Sequence, residues 1–176
     1  MLEGEPLKYL YGNLLLGVPM SGEKIVIIMG SEKDQEFTEP AIQLLEDFDL
    51  DYEVRVASAH KTPEELLDIL NEYNEEDKVV YFTVAGRSDA LSGFVDANTA
   101  FPVIACPPYS SKFNGADIFS SLRMPSGVGP LVVLDPENAA LAAAKILAID
   151  NPELSEKIDS YKESVKEKVK KSDENV

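Results

Sequence analysis

The chain has 176 residues, 44% of them apolar, and sets 16 lysines and arginines against 32 aspartates and glutamates for a formal charge of −16. Such a charge repels a nucleic-acid backbone and an anionic membrane surface, and no run reaches the roughly 18 apolar residues of a membrane span, so neither is an expected partner. One domain is expected at this length; the single cysteine, Cys106, excludes an internal disulfide, and no Cys/His cluster has metal-ligand spacing, which points to a metal-free protein of a reducing compartment, the cytoplasm.

Residues 1–22 lack periodicity and read as an added arm, or as a stretch upstream of a start at Met20. Its Leu14-Leu15-Leu16 run follows Glu3, Glu5 and only Lys8, unlike the positive region of a signal peptide. Residues 23–150 then alternate strand and helix. Ile25-Val26-Ile27-Ile28-Met29 is continuously apolar, the pattern of a central parallel strand. It ends in Gly30-Ser31, and a helix beginning at Ser31-Glu32-Lys33-Asp34 carries Ile42, Leu45 and Phe48 inward. Backbone amides at such a turn suit an anion, although Ser31 or Asp34 could simply cap the helix. Neither G-x-G-x-x-G nor G-x-x-x-x-G-K is present, which leaves a smaller phosphate ester as the ligand class.

A second strand over residues 52–57 runs into Ser58-Ala59-His60-Lys61, which holds the only histidine. Thr62-Pro63-Glu64-Glu65 supplies a cap, a first-turn proline and acids for a helix from Glu64 to about Asn74, with Leu66, Leu67 and Leu70 inward. His60 therefore lies on a loop at the carboxyl end of a strand, where ligands bind in open parallel sheets. The third strand, Val79–Val84, empties into Ala85-Gly86-Arg87-Ser88-Asp89, and the fourth, Phe101–Cys106, is closed by Pro107-Pro108.

A helix over Asp117–Leu122 precedes the loop Arg123-Met124-Pro125-Ser126-Gly127, and Leu131–Leu134 is a fifth strand. Asp135-Pro136-Glu137 starts a helix whose alanine-rich body, 139–144, is apolar nearly all round and needs covering. The last helix, 151–172, carries Leu154, Ile158, Tyr161, Val165 and Val169 in a stripe suited to its own domain or, as favoured here, to a neighbouring subunit; residues 172–176 should fray. The expected fold is thus α/β: a single-domain, three-layer, doubly wound parallel sheet, flavodoxin-like, with a C-terminal helical extension.

Five segments taken together resemble one family, the phosphoribosylaminoimidazole carboxylases of purine biosynthesis: Met29–Asp34, Ser58–Pro63, Ala85–Asp89, Cys106–Pro108 and Ser121–Gly127. The family's mutase class, which rearranges an N5-carboxy compound, has a glycine-rich third segment with a second histidine. Gly86-Arg87-Ser88-Asp89-Ala90 lacks it and, with Lys61 and the Cys-Pro-Pro exit, resembles the class that takes carbon dioxide directly, though that class more often has Asn at the position of Asp89.

The resemblance implies 5-aminoimidazole ribonucleotide and carbon dioxide as substrates, no cofactor, and a homo-octamer. It places the phosphate and ribose on Ser31, Asp34, Ser58 and Lys61, with Gly30 and Ala59 in the same turns. Gly86, Arg87, Ser88 and Asp89 are expected around the ring, and Arg123 and Ser126 near the edge of the site. His60 suits the one proton transfer required, since histidine is the side chain whose charge changes most readily near neutral pH. The rivals are the mutase, a carboxylase of a pyridinium nucleotide, and a non-catalytic nucleotide-binding module. A receiver-like domain fails, because the first strand ends Met29-Gly30-Ser31 with no acidic pair.

Overall fold

The computed structural model describes residues 22–173; all but the last residue of the expected arm 1–22, and residues 174–176, lie outside the described residues. Five parallel strands, β1 (Lys24–Met29), β2 (Asp51–Val56), β3 (Val79–Val84), β4 (Val103–Ala105) and β5 (Leu131–Val132), form one sheet in the order β2-β1-β3-β4-β5. Every residue of β3 and all but the first of β1 are buried, as strands covered on both faces must be. One face carries α1 (Gln35–Asp47), α5 (Pro136–Leu147) and α6 (Pro152–Asp173) over Ile25, Ile27, Phe82 and Ile104. The other carries α2 (Pro63–Tyr73) and α3 (Ala90–Ala97) over Val26, Ile28, Tyr81 and Val103. The architecture is the three-layer doubly wound sheet that the alternating pattern implies.

Several boundaries differ from expectation. The first helix begins with a 3-10 turn, Glu32–Asp34, before α1 proper. The fourth and fifth strands are shorter than their apolar runs, because β5 is an edge strand paired to β4 over only two positions. The helix expected at 117–122 is a 3-10 turn, Ala116–Ile118, joined to a single α turn, α4 (Phe119–Leu122). Leu67 is exposed, one position off the α2 face that buries Leu66, Ile69 and Leu70. Rather than fraying at 172, α6 continues to Asp173.

Sequence reading misses α3 altogether. Its eight residues, ALSGFVDA, contain a mid-helix glycine and a valine, both weak helix formers. Packing explains that glycine: a Cβ at Gly93 would lie 3.1 Å from Met124 Sδ. The signal that could have revealed the helix was Asp89, whose carboxylate accepts from Ser92 N as an N-cap.

The alanine-rich α5 finds its cover within the chain. Ala139, Ala140, Ala143 and Ala144 are buried where α5 packs closely against α1 and the sheet. The stripe on α6 divides. Leu154 and Ile158 are buried, and Tyr161 meets Phe48 edge-on at 5.6 Å and donates a 2.7 Å hydrogen bond to Glu137. Lys157 ties the same helix to Phe48 O and Asp49. Beyond them, Val165 and Val169 remain 40% and 67% exposed.

Candidate functional site

The site follows from register. Met29 pairs with Val56 on one side and Val84 on the other, so β1, β2 and β3 end level. Their outgoing loops start side by side, with Gly30 N donating to Val84 O and Ala57 N to Met29 O. Strand order also reverses here: the chain leaves β1 for β2 on one flank and returns to β3 on the other, creating the crevice in which such sheets bind ligands. It holds a cleft of about 550 Å³, within the usual range for small-molecule sites.

Ten of the expected site residues line this cleft: Gly30, Ser31 and Asp34 from the first loop, Ser58, Ala59, His60 and Lys61 from the second, and Gly86, Arg87 and Ser88 from the third. Lys33, Ala85 and Leu91 join them unforeseen. Lys33 was hidden as an ordinary surface lysine in a charged turn; its neighbourhood with Ser31 was the only hint. With Lys33, Lys61 and Arg87 against the single carboxylate of Asp34, the cleft is cationic in a strongly acidic protein, and so selects an anionic ligand.

Each loop is held differently. On the first, Gly30 passes close to its neighbour: a Cβ would lie 3.3 Å from Ala85 Cβ, so β-carbon-bearing residues would wedge the first and third loops apart. Ser31 does cap the 3-10 turn, its Oγ accepting from Lys33 N at 3.3 Å, which leaves its proton to donate. Asp34 makes no side-chain cap to α1, and burial raises its pKa against the opposing pull of the Ser31 backbone.

The second loop is closed by its own atoms. Thr62, expected as a helix cap, makes no side-chain cap to α2. Its Oγ1 instead accepts from Ser58 N at 3.0 Å, while Lys61 N and Thr62 N both donate to Ser58 O. This tight turn displays Ala59, His60 and Lys61 toward the cleft. His60 is exposed and its ring makes no hydrogen bond among the described residues, which leaves both nitrogens available to a ligand.

On the third loop, Arg87 and Ser88 are exposed but Asp89 is only 5% exposed and does not line the cleft. Its carboxylate accepts from Ser92 N, Ser92 Oγ and Ser121 Oγ, at 3.1, 2.7 and 2.7 Å. Asp89, expected around the ring, is thus a buried joint outside the cleft lining, its carboxylate satisfied by three donors. Arg123 and Ser126, expected near the edge of the site, are exposed and also lie outside the cleft lining. Cys106 is fully buried at the end of β4, where burial pushes its thiol up to about 12, so it is no nucleophile at neutral pH.

A flavodoxin-like sheet with a cationic small-molecule cleft at its switch point, and a free histidine on the lip, describes a class of nucleotide-handling α/β proteins. The chain belongs to a particular family within it: residues 24–168 match the family model for AIR carboxylase. It is 58% identical over 153 residues to the phosphoribosylaminoimidazole carboxylase of Archaeoglobus fulgidus, covering 87% of this chain and 84% of the relative. It is 47% identical over 150 residues to that of Treponema denticola, covering 85% and 94%. The crystal structure of Treponema denticola PurE superposes with a TM-score of 0.85 at 45% identity, covering 88% of this chain and 98% of that one.

Proposed function

We propose that the protein adds carbon dioxide to 5-aminoimidazole ribonucleotide to give the 4-carboxy product, without ATP. The observation that carries this reading is the cleft itself: three cations, one desolvated carboxylate and one unengaged histidine, contributed by three level loops. A nucleotide monophosphate supplies the anion. Ser31, Ser58, Lys33 and Lys61 hold its phosphate, and Asp34 accepts from the ribose hydroxyls. Gly30 and Ala59 keep the turns thin enough for backbone approach, while Gly86, Arg87 and Ser88 border the ring and carbon dioxide.

The chemistry needs little more. The aminoimidazole is an enamine, so its ring carbon attacks carbon dioxide directly and the new carbon–carbon bond leaves a hydrogen on that carbon. His60 takes this proton, which restores the aromatic ring, and releases it to water from its exposed position; the reverse reaction uses the imidazolium as acid. Holding both reactants in one cleft contributes several kcal/mol, on the order of what intramolecular reactions gain from orientation. The lack of a histidine in Gly86-Arg87-Ser88-Asp89 supports direct use of carbon dioxide over rearrangement of an N5-carboxy compound.

We also place the protein in the cytoplasm as an oligomer, up to an octamer. Its one cysteine is a free thiol, and Leu122, Leu131, Leu134, Val165 and Val169 leave apolar surface that a second copy would cover. Sedimentation of the purified protein should give a mass several times 19.3 kDa, and a Val165→Lys, Val169→Lys variant should lower it.

The decisive assay follows carboxylation of the aminoimidazole ribonucleotide at varied bicarbonate, with carbonic anhydrase present and no ATP. Rates that track dissolved carbon dioxide support the proposal. Turnover of the N5-carboxy compound alone would make the protein a mutase, and tight nucleotide binding without turnover a binding module.

A further inference from the structure

Arg87 combines three features that its role as one more cation does not explain. It is a non-glycine residue at φ +64°, in the left-handed region that is unfavourable for a residue with a side chain and persists only where the surroundings impose it. It lines a second, largely apolar cavity of about 490 Å³ with Phe113, Ala116, Asp117 and Ser120, as well as the main cleft, and so forms part of the wall between them. And both its peptide groups are taken by side chains about thirty residues away.

Those side chains come from the segment 116–122. Arg87 N donates to Asp117 Oδ2 at 3.1 Å, and Ser120 Oγ donates to Arg87 O at 2.9 Å, sharing its proton with Asp117 O. Ser120 Oγ also accepts from Asp89 N at 3.0 Å. Beneath them the buried Ser121 Oγ donates to the buried Asp89 carboxylate, which caps α3. The backbone of Arg87 and Asp89 is thereby bonded to one short segment at three points, and the Asp89 carboxylate adds a fourth.

We propose that Asp117 and Ser120, seated on the Asp89–Ser121 pair, are positioning residues: they hold Arg87 in its left-handed conformation and so keep the only guanidinium of the cleft aimed at the bound anion. The assignment rests on the cleft being the nucleotide site proposed above. A guanidinium has a fixed fork of donors, so its contribution to an anion depends on direction more than that of the two lysines. Releasing the backbone would let Arg87 relax and lose that direction without losing its charge. The contact made by Asp117 is an oxygen accepting a backbone N–H, which the carbonyl of asparagine reproduces.

The test is a double-mutant cycle read on binding of ribose 5-phosphate by calorimetry, with turnover of the aminoimidazole ribonucleotide measured in parallel. Arg87→Ala and Asp117→Ala are each expected to weaken binding about tenfold, the worth of one charge-assisted hydrogen bond. Together they should weaken it no more than Arg87→Ala alone, and Asp117→Asn should stay within about twofold of the parent. Additive losses, an Asp117→Asn variant as weak as Asp117→Ala, or an Arg87→Ala variant that binds normally would each overturn the proposal. Ribose 5-phosphate binding with this coupling but no turnover of the aminoimidazole ribonucleotide would retain the clasp and reject the reaction.

Discussion

The two loops that carry the reactive side chains are built on opposite plans. The 58–62 turn is closed within five residues, by hydrogen bonds between Thr62, Lys61 and the Ser58 backbone. The 86–89 loop, beyond the local bonds from Ala90 N to Ser88 O and from Ser92 to Asp89, is held from across the fold by Asp117, Ser120 and Ser121. The proton transfer proposed for His60 thus rests on local geometry, and the anion positioning proposed for Arg87 on tertiary geometry. Damage should therefore propagate differently. Changes near His60 should alter chemistry with little cost to the fold, and changes around Asp89 should cost stability first.

The largest expected effect lies on the local side. His60→Asn should lower kcat by about 100-fold or more while ribonucleotide binding, measured separately, is retained; near-normal turnover would reject His60 as the proton carrier. On the tertiary side, Asp89→Ala strands two buried hydroxyls and one amide at the α3 start, and should lower stability by about 2–3 kcal/mol in denaturant melts. Asp89→Asn, which keeps one accepting oxygen, should cost less. If both were silent, the loop would not depend on the joint.

Thr62→Val sharpens the same contrast at smaller scale. It removes the bond from Ser58 N and should cost about 1 kcal/mol, with a fall in activity larger than that loss alone predicts, because the turn that displays His60 loosens. The smallest effect concerns Asp34, whose raised pKa stems from burial. A carboxyl raised in the folded state destabilises the fold once it is ionised, so stability should decline as pH rises through that raised value. Asp34→Asn should therefore melt slightly higher than the parent at pH 7, an advantage that disappears below the ordinary carboxylate range, and should bind ribonucleotide more weakly. A variant less stable at pH 7 would show that Asp34 supports the fold instead of the ligand.

Much of this arrangement is legible in the chain. Continuous apolar runs such as Ile25–Met29 and Val79–Val84 mark buried parallel strands, and glycine- and serine-bearing loops after three of them mark one sheet edge. Ten of the cleft's thirteen lining residues follow from that logic and from five short motifs. Asp89 does not, since a polar residue after Gly-Arg-Ser looks the same whether it faces a ligand or caps α3; only the positions of Ser92 and Ser121 decide it. The same holds for Thr62, whose hydroxyl can cap a helix or close a turn, and for Gly93, which weakens a helix in isolation and sits close under Met124 in the fold.

The sequence by itself determined the fold class, the glycine- and serine-bearing loops at the carboxyl ends of the strands and the histidine on one of them, because hydrophobic periodicity and turn chemistry are properties of neighbouring residues. Tertiary structure alone decided which polar side chains face the cleft and which are spent on the fold. That choice depends on partners some thirty residues away, Asp117 to Ser121 for Arg87 and Asp89, and a hydrogen bond is assigned only when both of its ends are placed.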